Sequence, residues 1–342
     1  MIEPFGEMPD GRPVARVTLR AGPVTARIIP FGAALQALEM PGRDGTVDDI
    51  VLGHDSLQGY LAHRSYFGAT VGRVANRIAG ASFLLDGRRV MLAANEGANM
   101  LHGGPDGFDR RLWEIESHDD RCVSLTLLSP DGDQGFPGRL LARVRYELDA
   151  VAGGAALRIT HSATTDAATP VALTNHSFFA LAGARALAAR PRSALEYRLT
   201  VPAARYLPVD GAMIPLPPAP VAATPFDFRT GRQPLTAVRS GVISGYDHCL
   251  CLDAGQAELY DALSGRRMVL ETDQAGLQVY TGNFLDGRVT GKAGRAYLQN
   301  DAICLEPQPW PNAVNMPAGG APDVILRPGE TYRAAMRLTF TC

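Results

Sequence analysis

The sequence predicts an all-β protein, a large antiparallel β-sandwich with few short helices. Three observations carry this. Short segments alternate apolar and polar residues with a period of two, the mark of strands with one buried face. Glycine (36 residues) and proline (25 residues) punctuate the whole chain, as turns between many short strands require. No βαβ rhythm, no repeat of about 20–50 residues and no low-complexity tract interrupts this texture.

In chain order, "DSLQGYLAH" (55–63) reads as one short helix capped by Asp55. "VSLTLL" (123–128) sets Val123, Leu125 and Leu127 against Ser124 and Thr126, a strand. The turn cluster "SPDGDQGFPG" (129–138) separates it from "RVRYEL" (143–148), where Val144, Tyr146 and Leu148 alternate with Arg143, Arg145 and Glu147. "LRIT" (157–160) repeats the pattern, and the alanine-rich "GARALAAR" (183–190) reads as a second short helix. No composition break is long enough for a linker, so residues 1–342 read as a single β-sandwich domain.

Composition narrows the function. With 33 basic and 35 acidic residues the net charge is −2. There is no basic footprint for nucleic acid and no acidic tail, which leaves small neutral molecules as natural partners. Five cysteines, at 122, 249, 251, 304 and 342, include no Cys-x-x-Cys pair and read as buried thiols in a reducing compartment. The opening "MIEPFGEMPDGRP" lacks the regions of a signal peptide. No apolar run approaches the ~20 residues of a membrane span. The expectation is a soluble, cytoplasmic protein.

Polar clusters interrupt the apolar segments at four places. "GRVANRIAG" (72–80) carries Asn76 and Arg77, the latter able to present a planar fork of donors to hydroxyl groups. "NEGANMLHGGPDGFDRRLW" (95–113) places His102 before two glycines that let the backbone approach a ligand closely. "TPVALTNHSFFALAG" (169–183) runs an apolar strand into Asn175 and His176. Such a cluster is either buried and paired or lines a cleft. The fourth place joins Asp247 in "GYDHCLCL", Gln278 in "LQVYTGN" and Glu306 in "CLEPQPWPN". Glu306 ends an apolar run, and Pro307, Pro309 and Pro311 follow at alternate positions. Proline restricts the residue before it to extended backbone, which suits a base held at a fixed place. Taken singly, each residue has a structural reading as well, and spacing does not bring them together. A nucleophile elbow, a phosphate loop, a dinucleotide fingerprint and a His-x-x-x-His pair are all absent from the sequence. What remains is proton transfer without a cofactor.

At these clusters the sequence resembles the aldose 1-epimerases, or galactose mutarotases. The blocks "GRVANRIAGASFLLDG", "NEGANMLHGG", "FDRRLW", "SPDGDQGFPG", "TPVALTNHSFFALAG", "YDHC", "LQVYTGNFLDG" and "CLEPQPWPNAVNMP" carry the resemblance, in order and over nearly the full length. It implies a galactose-mutarotase-like supersandwich and an isomerase interconverting α and β anomers of free aldoses such as glucose or galactose. It further implies Glu306 as general base, His176 as general acid, and Arg77, His102, Asp247 and Gln278 as sugar-holding groups, with Asn76 and Asn175 beside them. No metal or cofactor is implied. A working acid must stay protonated near neutrality, so Asp247 is expected to raise His176. Phe178, Ala180, Pro309 and Asn312 depart from the residues frequent in the family and bear on which aldose is preferred. Three other functions stay open: a sugar-binding or regulatory protein without turnover, a hexose 6-phosphate epimerase using Arg73 and Arg77 as cations, and a structural β-sandwich interaction module without sugar affinity.

Overall fold

A computed structural model describes residues 1–189, 193–317 and 319–342. Nearly all regular structure is antiparallel strand. The largest sheet has eight strands. Its order runs Glu114–His118, Cys122–Ser129, Leu140–Val151, Gly154–Thr165, Tyr332–Thr341, Arg267–Thr272, Gln256–Tyr260 and Arg198–Thr200. Within it, Leu140, Ala142, Val144, Tyr146 and Leu148 are buried while Leu141 and Arg145 are exposed. The period-two reading of 143–148 therefore holds, as it does for 157–160. Each fully buried Val or Leu contributes about 1.5–3 kcal/mol.

A six-stranded sheet runs Phe178–Phe179, Ile303–Gln308, Gly276–Tyr280, Asp247–Cys251, Arg205–Leu207 and Ala219–Pro220. The N-terminal strands, from Ile2–Glu7 to Val47–Asp49, form a five-stranded sheet. One buried cluster draws on all three sheets, among them Leu19, Leu125, Leu157, Leu338, Leu277 and Leu305.

Both expected helices are present and shorter than the sequence suggests. The first is Leu57–Ala62 and starts at Ser56, without a side-chain cap. Asp55 does not cap it. Its Oδ2 accepts the Ala293 amide at 2.7 Å, so a loop distant in sequence outcompetes the helix end. The second is Ala184–Ala189. Arg190, the end of the stretch expected to be helical, lies outside the described residues.

The pleat of the six-stranded sheet decides where chemistry sits. Leu250, Leu277, Val279, Ile303 and Leu305 point into the shared core. Their alternates Asp247, Gln278, Tyr280, Cys304 and Glu306 project from the opposite face. Strand register then sets them side by side: Gln278 pairs with Glu306, Cys249 with Gln278, Asp247 with Tyr280, and Tyr280 with Cys304. Glu306 thus stands within a paired strand, a firmer support than the proline ladder alone. Pro307 is tolerated there because the neighbouring strand Phe178–Phe179 pairs only with Ile303 and Cys304, so beyond Cys304 that edge has no ladder to interrupt.

Candidate active site

Over this face lies a cavity of about 450 Å³, a size suited to a small molecule. Asn76, Arg77, His102, His176, Asp247, Gln278 and Glu306 line it. Seven of the eight residues expected from the sequence therefore converge. One wall is apolar: Phe178, Tyr280, Phe284, Leu285 and Val289. A pocket with one polar and one apolar wall suits a molecule that is itself two-sided, hydroxyls on one aspect and C–H groups on the other.

His176 is fixed by its own backbone. Its amide donates to Ala69 O at 2.9 Å, and its carbonyl accepts the Gly68 amide at 3.0 Å. The ring stacks on Tyr66 (5.6 Å between centroids, 17°) and on Phe178 (5.0 Å, 20°). Glu306, 2 % exposed, brings Oε2 to 3.7 Å from His176 Nε2. Glu306 Oε2 and His176 Nδ1 are buried and have no hydrogen-bond partner among the described residues. Buried polar atoms left unpaired in residues that line a cavity call for a ligand, a water or a functional role.

Burial governs the charge state of this pair. It pushes Glu306 well above the usual carboxylate range, and the neighbouring Asp247 charge adds to the shift. It pushes His176 down to about 4. Across the 3.7 Å approach burial therefore disfavours the charged form of both groups. The expectation that Asp247 raises His176 is overturned: desolvation wins at the imidazole, and Asp247 acts on Glu306. Asp247 is itself raised by burial, against the opposing pull of Arg77 and of the Gln278 amide. That amide donates to Asp247 Oδ1 at 2.7 Å.

The remaining polar wall is built by two short segments that grip each other. The Asn76 amide donates to His102 Nδ1 (3.1 Å), and the His102 amide donates to Asn76 O (3.0 Å). Nδ1 therefore accepts, and Nε2 carries the ring proton. Burial, with His176 and Arg77 nearby, holds His102 well below its ordinary value. Arg77 Nε and Nη2 grip Glu96 at 2.6 and 2.8 Å, which orients the guanidinium at the cavity.

The family model described as aldose 1-epimerase matches residues 15–339. Galactose mutarotase from Homo sapiens is 42 % identical over 335 residues, covering 96 % of this chain and 94 % of its own. The aldose 1-epimerase of Escherichia coli K12 is 37 % identical over 345 residues, covering 97 % and 96 %. The chain belongs to the aldose 1-epimerase family. The crystal structure of an aldose epimerase homologue from C. elegans superposes with a TM-score of 0.88 at 31 % identity, covering 96 % of this chain and 99 % of that one. The galactose 1-epimerase structure from Lactobacillus acidophilus gives 0.84 at 27 %, covering 99 % and 98 %. The supersandwich expected from the resemblance is the fold observed.

Against that family pattern three readings of the sequence need correction. Asn175 does not line the cavity. Its Nδ2 donates to Gly68 O (2.8 Å) and Tyr146 Oη (3.1 Å), and its Oδ1 accepts from Ser177 Oγ, so it anchors the backbone of His176 to the core. Arg73 is 2 % exposed and lies off the cavity, spending its donors on Ser129, Pro130, Pro137 and Thr169. The first glycine after His102 is required by the fold itself. A Cβ on Gly103 (φ +79°) would sit 1.8 Å from Gly72 O, so glycine is needed where two loops of the site cross. Sequence reasoning missed Glu96, although it stands in the same short block as His102. It also missed Tyr66, and Arg64, whose fork is held by Asp109 at 2.9 and 2.8 Å. A basic and an acidic residue in facing blocks was the available signal.

Proposed function

We propose that this protein is a mutarotase for free aldoses, with Glu306 as the general base and His176 as the general acid. The observation that carries the reading is the pair itself: a buried carboxyl and a buried imidazole, 3.7 Å apart and otherwise unpartnered, facing one sugar-sized cavity. Opening a cyclic aldose requires a proton taken from the C1 hydroxyl and a proton given to the ring oxygen. Ionised Glu306 takes the first and protonated His176 gives the second as the C1–O5 bond breaks and the C1 carbonyl forms. Rotation about C1–C2 and closure on the other face return both protons and invert C1.

The electrostatics give this exchange its direction. Ring opening converts a carboxylate and an imidazolium into a carboxylic acid and an imidazole. That neutral pair is the state favoured by burial. The two forms hold the same number of protons, so the reactive ion pair is a minority tautomer of the resting charge state. An apolar environment makes it a stronger base and a stronger acid. Each positioned proton transfer contributes about 10²–10⁴-fold. Arg77, His102, Asp247, Gln278 and Asn76 hold the sugar hydroxyls in this reading, and the apolar wall receives its C–H face.

Geometry disfavours a hexose 6-phosphate. Arg73 is off the cavity, and the two arginines lining it, Arg64 and Arg77, are committed to Asp109 and Glu96. No uncommitted cation lines the cavity among the described residues. The unpartnered pair also favours turnover over a binding-only role. The core shared by three sheets supports reading residues 1–342 as one domain. Five free thiols, four of them buried and Cys342 exposed, support a reducing, cytoplasmic setting. No helix among the described residues is long and apolar enough to cross a membrane. Polarimetry on freshly dissolved α-D-glucose and α-D-galactose tests the activity. Acceleration over the spontaneous rate is expected, and its absence with both sugars, and with D-xylose and L-arabinose, overturns the proposal.

A further inference from the structure

We propose that His176, Cys304 and Glu306 form a latent site for one thiophilic divalent cation, Zn²⁺ or Cd²⁺, whose binding shuts the sugar cavity. One ring nitrogen of His176, Cys304 Sγ and one carboxylate oxygen of Glu306 lie within 4.8 Å of one another, and all three residues are buried. The sheet builds this grouping. Cys304 and Glu306 are alternate residues of one strand and so share a face. Cys304 is in register with Phe178, two residues beyond His176.

The donor geometry is near that of a tetrahedral site. Metal–ligand distances of about 2.0–2.3 Å for nitrogen, oxygen and sulfur put neighbouring ligand atoms about 3.3–3.6 Å apart. The His176–Glu306 distance of 3.7 Å lies just above this range. The widest pair must close by roughly 1 Å. Glu306 Oε2, buried without a partner, loses no existing hydrogen bond on ligation. The fourth position falls to the cavity, for a water.

Charge balance favours the complex. Binding breaks the S–H bond of Cys304 and the O–H bond of Glu306. Metal–sulfur and metal–oxygen bonds form, His176 contributes its lone pair, and two protons leave to solvent with no change of oxidation state. A dication with one thiolate, one carboxylate and one neutral imidazole is neutral overall. A neutral complex is the form that the apolar surroundings of Phe178 and Tyr280 admit. Thiolate and imidazole together select Zn²⁺ or Cd²⁺ over Mg²⁺ and Ca²⁺. The effect on turnover rests on the acid–base reading of Glu306 and His176; the binding itself does not.

The test uses the full chain, freed of metal by a chelator, titrated with Cd²⁺ by equilibrium dialysis and by ultraviolet absorption of the thiolate-to-cadmium band. One Cd²⁺ per chain with micromolar or tighter affinity is expected, with the band present and mutarotation lost. Cys304→Ala should retain mutarotation, lose the band and weaken binding at least tenfold. Cys304→Val, which refills the volume, should do the same if the alanine variant folds poorly. Cys342→Ser, at the exposed thiol, should leave the band and the stoichiometry unchanged. No band in the wild type, or a band that persists in both Cys304 variants, overturns the site. Stoichiometric binding through Cys304 with turnover undiminished would leave the site standing and overturn the acid–base assignment instead.

Discussion

Replacing Glu306 by glutamine should abolish most activity and yet favour the fold increasingly as the pH rises. The amide keeps the shape of the side chain and its place opposite Gln278 in the sheet, but it cannot take the anomeric proton. Loss of a positioned base lowers the rate by about 10²–10⁴-fold, or about 3–5 kcal/mol of barrier. Stability moves by a separate route. In the folded protein burial, with Asp247 behind it, raises Glu306 well above its ordinary 4.5. Between those values the folded state holds a proton that the unfolded state has released. A group raised in this way makes wild-type stability fall as the pH climbs through 4.5, until its folded value is passed. Glutamine carries no such dependence. The difference in Tm, variant minus wild type, should therefore increase from about pH 4 to about pH 7. Each 1 kcal/mol gained moves the midpoint by about 2 °C in a chain of this size. Polarimetry and thermal unfolding across pH, on the same preparations, measure both. Turnover within about tenfold of wild type refutes the role of Glu306. A Tm difference that stays flat or shrinks with rising pH refutes the burial argument.

The pH dependence of kcat/KM should be flat through neutrality, with an acid limb near pH 4, where His176 gains its proton and the pair holds one proton too many. The alkaline limb belongs to Glu306, raised by burial, and Glu306→Asp should move it; an acid limb near the ordinary histidine value of 6.5 would refute this order. Arg77→Lys keeps the charge but loses the two-pronged grip on Glu96; steady-state kinetics should show kcat/KM falling about 10–100-fold, the worth of a charged hydrogen bond, mostly through KM. Gly103→Ala forces a Cβ against Gly72 O at a left-handed φ; a loss above about 2 kcal/mol in denaturant unfolding is expected, and an unchanged midpoint would show that the loop crossing yields freely.

The fold class and most of the chemistry were legible in the amino-acid order alone. Alternation at 143–148 and 157–160 is a local property, because successive side chains of a strand must face opposite ways whatever the strand pairs with. The residue types were legible too: a carboxyl, an imidazole, a guanidinium and amides, each beside or within an apolar run. The resemblance to a family supplied their grouping. Which of them meet depends on how separate strands pair in space. Gln278 stands beside Glu306, and Asp247 within reach of the Gln278 amide, because three strands from distant parts of the chain pair in one register. A slip of one residue would have sent all of them into the core. Asn175 and Arg73 have the same residue types as the groups lining the cavity, yet they turn to Tyr146 and to Ser129. The helix cap went to Ser56 because Asp55 found a distant amide. The protonation of the pair was the least legible of all. Reference values put a charged histidine beside a charged carboxylate. Burial sets that order aside, since the desolvation of a group depends on what covers it and not on its neighbours in sequence.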